Sequence, residues 1–315
     1  MRRARVRTIL MSSLRFCGSL FSVKAPSPAL AGALALAALV AAAAGARAAA
    51  PTGAAHAQRL AATSAEASTN WAGYAVTSPD PASPIDFSSV TGTWTQTTAT
   101  CGATDGNAAS ASWVGLGGYA LSSQAVEQIG TDADCTPSGK GSYYAWYELV
   151  PAPPVNLTMK IRPGDVITGS VNVSGTTIVV QLINRTRHVR FTKKAPMLQP
   201  DTTSAEWIAE APSSCTGFSC NPLPLANFGS VTFSRIATIG NGHPGTLLDP
   251  AWSAVPLQLV PDGTGFGFYP GPRHGHGYAV MSSTAGTSAP DAVSSDGRSF
   301  TLSWLSDPSS STADQ

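Results

Sequence analysis

The chain has 315 residues, 43% of them hydrophobic and 12% charged, which is apolar enough for a packed core and excludes an intrinsically disordered protein. Thirty Gly and 24 Pro favour a fold rich in turns over a helical bundle. From residue 69 onward 11 Lys and Arg face 17 Asp and Glu, a net charge of −6. A body with that balance and no evident basic stripe is not expected to bind nucleic acid.

Taken in chain order, Arg2, Arg3, Arg5, Arg7, Arg15 and Lys24 precede an Ala/Leu/Val run over 29–45 and a stretch of small residues. This is the order of a cleaved secretory signal over 1–50; the alternative is an N-terminal anchor, because the run is near the lower length limit for a membrane span. The expected product is exported, extracellular and monomeric, with no stable membrane association once the signal is removed. Residues 51–68, rich in Ala, Thr and Ser, read as a linker or short pro-segment. The folded domain is expected over 69–307, with 308–315 as a disordered tail.

Within that domain short strand-like runs alternate with Gly, Pro, Asn and Ser clusters. Residues 142–150 (SYYAWYELV) are aromatic and β-branched and stop at Pro151. Residues 166–173 place Ile167, Val171 and Val173 on one face and Thr168, Ser170 and Asn172 on the other, the alternation of a half-buried strand. Ser174-Gly175 then offers a two-residue turn, and 176–183 returns as the second arm of a hairpin. Residues 231–236, 299–304, 255–260 and 278–281 are further strand candidates, the last two inside a Gly/Pro/Ser-rich stretch (240–297) expected to be mostly loop. Many short strands without intervening helices predict an all-β domain, one antiparallel sandwich or barrel.

Cys17 leaves with the signal, and the even set Cys101, Cys135, Cys215 and Cys220 in an exported chain predicts two disulfides, with three possible connectivities. Cys215 and Cys220 enclose only Thr-Gly-Phe-Ser, suited to a loop-tip bridge, which pairs Cys101 with Cys135. The four thiols lack two CxxC-like hooks for a metal, and His274-Gly-His276 has no third ligand of suitable spacing nearby. With no P-loop and no GxGxxG after a strand, neither metal nor cofactor is expected.

Carboxylates inside apolar strands are the candidates for chemistry: Glu148 in YYAWYELVP, and Glu206 and Glu210 in SAEWIAEAP. Neighbouring Trp and Tyr rings would desolvate such a carboxyl and suit it to acid/base work, whereas the bland alternative is a solvated strand face. Glu206 and Glu210 share a face, but four residues of strand put them about 13 Å apart, too far to act as a glycosidase pair. A working partner must come from another strand. No GxSxG elbow serves a Ser-His-Asp mechanism.

Five segments in order, NWAGY (70–74), SWVGLGG (112–118), VEQIG (126–130), YAWYE (144–148) with Pro151, and SAEWIAE (204–210), resemble the glutamic peptidases, or eqolisins, secreted endopeptidases that work in acid. The resemblance implies a concanavalin-like β-sandwich of two curved antiparallel sheets and a catalytic Gln/Glu dyad, which falls on Gln128 and Glu206. Trp113 matches a cleft-wall Trp; Trp146 and Glu148 are expected to contact the substrate, a protein or peptide. Two positions depart from the pattern: Gly117 stands where fungal members carry an acid, and Tyr144 where many have Asp. In the implied chemistry a Glu carboxylate takes a proton from water and returns it to the leaving amine, while the Gln amide holds the oxyanion. The competing readings are a carbohydrate-binding or carbohydrate-hydrolysing sandwich and a catalytically silent one.

Overall fold

A computed structural model describes residues 64–306 except 103–104, 121, 217–218 and 261–285, and leaves out the side chains of residues 215, 216, 219 and 220. The expected signal, the C-terminal tail, the strand at 278–281 and His274 and His276 therefore lie outside the described residues. The described residues form strands and no helix. They are β1 (Glu66–Ser68), β2 (Trp71–Thr77), β3 (Phe87–Thr95), β4 (Ala111–Leu116), β5 (Glu127–Cys135), β6 (Gly141–Leu149), β7 (Val155–Asn156), β8 (Val166–Ser174) and β9 (Thr177–Asn184). There follow β10 (Val189–Pro196), β11 (Ser204–Glu210), β12 (Ser213–Thr216), β13 (Ser219–Pro222), β14 (Ser230–Gly240), β15 (His243–Gly245), β16 (Ser253–Leu259), β17 (Thr287–Pro290) and β18 (Phe300–Ser306).

One antiparallel layer runs β7-β6-β5-β4-β11-β2-β16-β17-β18 and the other β10-β9-β8-β3-β14, with β14 bonded to both β3 and β18. This is the antiparallel β-sandwich expected from the sequence. Alternation explains the layers: Ile167 and Val171 of β8 and Ile178, Val180 and Leu182 of β9 are buried in the core that also holds Val114, Ile129, Ala205 and Trp207 of the facing layer. Trp94 packs on Phe233 with ring centroids 5.6 Å apart, and Phe233 stacks on Phe300 at 5.5 Å. Burying each such side chain contributes about 1.5–3 kcal/mol.

The β8–β9 hairpin has its two-residue turn at Gly175-Thr176, one residue later than the sequence suggests, with Gly175 at φ 56°. The sheet begins ahead of residue 69, because Glu66–Ser68 pairs in parallel with Leu257–Leu259 of β16. Cys101 and Cys135 form a disulfide, which ties the segment after β3 to the end of β5. Cys215 and Cys220 are direct cross-strand partners in the β12–β13 hairpin; their side chains fall outside the described set.

Candidate active site

Three rows of side chains cross the outer face of the longer layer. Glu206, Gly115, Gln128 and Glu148 occupy successive partner positions on β11, β4, β5 and β6. The next row is Ile208, Trp113, Gly130 and Trp146, and the third is Glu210, Ala111, Asp132 and Tyr144, with Trp71 of β2 opposite Glu210. Strand alternation puts all three rows on one face, while Ile129 and Trp207 enter the core behind it.

Glycine makes room for Trp113. A Cβ at Gly130 would lie 2.6 Å from the Trp113 Cβ, and one at Gly115 would lie 2.9 Å from its ring. The indole fills both places, meets Trp71 edge-on at 5.0 Å, and donates from Nε1 to Glu210 Oε2 at 2.8 Å. Trp113 is fully buried and is therefore not the exposed cleft wall that the resemblance implies. Its packing against both glycines and Trp71 leaves it behind the wall, where it holds Glu210.

A cavity of about 580 Å³ opens over these rows. Gln128, Glu148, Trp146, Trp71 and Glu210 line it, together with Asp132, Asp134 and Tyr144; the apolar part comes from residues 151–154, Pro212 and Leu223. Gln128 Nε2 donates to Glu148 Oε2 at 2.8 Å, and its Oε1 is buried without a partner. Burial pushes the Glu148 carboxyl up to about 7 against the opposing hydrogen bond from Gln128. Glu210 is pushed up to about 8 by burial and by the charges of Glu148 and Asp132, opposed by hydrogen bonds from the Trp113 and Trp71 indoles. Asn70 Nδ2 adds a further donor to Glu210 Oε1 at 3.1 Å. At the far end Trp146 donates to Asp132 and Tyr144 donates to Asp134 at 2.9 Å; burial and the neighbouring Asp134 raise Asp132.

Thus Gln128, Trp146 and Glu148 of the expected site meet in one cavity, and Glu206 does not join them. Glu206 is 0% exposed, does not line the cavity, and neither of its oxygens has a hydrogen-bond partner of good geometry. Its charged neighbours are Asp201 and Glu127, and burial holds its carboxyl well above the usual range. Asp201 also resolves the departure at Gly117. A Cβ on Gly117 would lie 2.5 Å from the Asp201 Cβ, so the side-chain space at 117 is filled by an acid from another segment. The Asp201 carboxylate accepts from Ser123 Oγ and from the Thr203 amide. Asp132 and Asp134 were readable, since they alternate with Gln128 along β5; the wall of residues 151–154 was not, because only the turn after β6 folds it over Glu148.

The sequence model of the Peptidase A4 family matches residues 69–254. Among solved structures, the chain is similar to scytalido-glutamic peptidase in complex with a peptide-based transition state analog, at 24% identity and a TM-score of 0.57, covering 75% of this chain and 98% of that one. It is similar to SCP-B, an eqolisin bound to the tripeptide Ala-Ile-His, at 23% identity and a TM-score of 0.55, with the same coverage. Aspergilloglutamic peptidase from Aspergillus niger matches at 25% identity and a TM-score of 0.47 over 63% of this chain and 99% of that one. No curated protein sequence matches the chain at a significant level. With more than half of its length matched by the family, and its layers arranged as in scytalido-glutamic peptidase, the chain belongs to the Peptidase A4 family, the glutamic peptidases or eqolisins.

Proposed function

We propose that this peptide hydrolase is an exported endopeptidase working in mild acid, in which Gln128 and Glu210 act on one water molecule. The observation that carries the reading is the shared cavity: the unpartnered Gln128 carbonyl and the Glu210 carboxyl both line it, and Glu206 does not. The base is thereby moved from Glu206, where the resemblance put it, four residues along the same strand face.

Gln128 has two amide hydrogens. One is held by Glu148, which fixes the amide orientation and leaves the other for the substrate oxygen. In the proposed reaction ionised Glu210 removes a proton from a water that is also held by the Gln128 carbonyl. The water oxygen bonds to the peptide carbon, and charge collects on the carbonyl oxygen, where Gln128 Nε2 donates to it. Protonated Glu210 then transfers its proton to the amide nitrogen as the C–N bond breaks, restoring the carboxylate. Donors from Trp113, Trp71 and Asn70 favour the anion at Glu210. While Glu148 and Asp132 keep their protons in acid, their repulsion of that anion is absent.

The purified protein should cleave an unfolded protein in mild acid and resist pepstatin, chelators and serine- and cysteine-directed reagents. Loss of activity to a chelator, or full inhibition by pepstatin, contradicts the reading.

A further inference from the structure

Most of the cations of the folded domain come from one stretch of the chain. Of the 11 Lys and Arg after residue 69, seven fall between residues 160 and 194, against one acid, Asp165. Asp165 is spent on Arg187, whose Nε lies 2.7 Å from its Oδ2. The fold then brings the others together. Asn184 donates to the Lys160 carbonyl and to Asp165, which also accepts from the Arg162 amide, so this segment abuts the β9–β10 turn, while Arg185 reaches Thr168 at 2.6 Å. Arg162, Arg185, Arg190 and Lys194 are exposed, whereas Lys193, opposite the buried Val180, belongs to the other side of β10. A stripe that averages out in the net charge is therefore real in space, which corrects the expectation from sequence.

The outer face of this layer has three rungs: Thr93-Thr168-Ile183-Arg190, Thr91-Ser170-Gln181-Thr192 and Ser89-Asn172-Val179-Lys194. It holds hydroxyls and amides in ranks with cations along one border, and these rungs contain neither a carboxylate nor an aromatic ring. Cations on an edge strand such as β10 also discourage edge-to-edge pairing. That role does not account for Arg162 and Arg185, which lie off the edge strand.

We propose that this face docks a linear sulfated glycan. A sulfate ester keeps its charge throughout the acid range, and hydroxyl and amide ranks suit sugar hydroxyls. Single-stranded nucleic acid would call for exposed aromatic platforms, which the rungs lack. The catalytic cavity opens on the opposite layer's outer face, across the shared core, so the docked enzyme keeps its cleft free.

The test is retention of the full protein on immobilised dextran sulfate at about pH 5, near the range of free carboxyls, with plain dextran and single-stranded DNA as comparison arms and salt as the variable. The wild type should be held on dextran sulfate and not on dextran. The triple variant R185S/R190S/K194S should lose about one unit of log–log salt slope per cation removed, with soluble-peptide cleavage unchanged, and R185K/R190K should be retained like the wild type. Failure of the wild type to bind, an unchanged slope in the triple variant, or equal retention on DNA would overturn the proposal.

Discussion

At the scale of residues, the site is a set of carboxyls ranked by their donors. Glu210 has the Trp113, Trp71 and Asn70 donors, and Glu148 has the Gln128 amide. With Glu148 and Asp132 protonated in acid, burial still disfavours the Glu210 anion, so activity should climb out of acid later than an ordinary glutamate at about 4.3 would allow. A kcat/KM profile whose acid limb lies above the free glutamate range is the expected outcome; a maximum at about pH 2–3, below that range, contradicts it. Trp113→Phe removes one donor to a charged acceptor, worth about 1.5–3 kcal/mol. The acid limb of the profile should then move up by about one pH unit or more, an effect that a purely structural role of Trp113 would not produce.

At the scale of elements, alternation made some strands legible, and β2 and β10 are among those without it that were missed. β8 buries every second residue beneath a polar outer face, and the period shows in the letters; β9 alternates in burial too and is legible as the return arm of the hairpin. β2 is buried along nearly its whole length between β11 and β16, so it carries no alternation. β10 is an exposed edge rich in Lys and Arg and resembles a loop. Gln128 and Glu148 were recognisable from their segments, whereas the choice between Glu206 and Glu210 was not, because both sit on one face and only the covering segments decide which meets the cavity. The Cys101–Cys135 bridge spans a sequence separation of 34 and anchors the end of β5, the strand that bears Gln128. Replacing both cysteines by Ser should cost on the order of 3–4 kcal/mol by loop entropy, read as a lower urea midpoint with the pH–rate profile kept. An unchanged midpoint would mean that the bridge adds nothing to the fold.

At the scale of the whole molecule, buried carboxyls tie stability to acid. Burial raises Glu127 to about 8 and holds Glu206 well above its ordinary value. A carboxyl whose folded pKa is raised favours the folded state fully below its unfolded value of about 4.3, and that contribution is lost as pH climbs towards the folded value. Melting temperature should therefore fall between mild acid and about pH 8. Glu206→Gln, neutral at every pH, should flatten the fall and raise the melting temperature on the alkaline side; an unaltered slope would show that Glu206 takes no part. The same variant bears on catalysis, since the account makes Glu206 a buried structural group and Glu210 the base. The most direct measurement is turnover of an unfolded protein at about pH 5 by Glu210→Gln and Glu206→Gln, each shown to be folded by its melting curve. The account predicts a loss of several orders of magnitude for Glu210→Gln and near wild-type turnover for Glu206→Gln. A folded, inactive Glu206→Gln beside an active Glu210→Gln would contradict it.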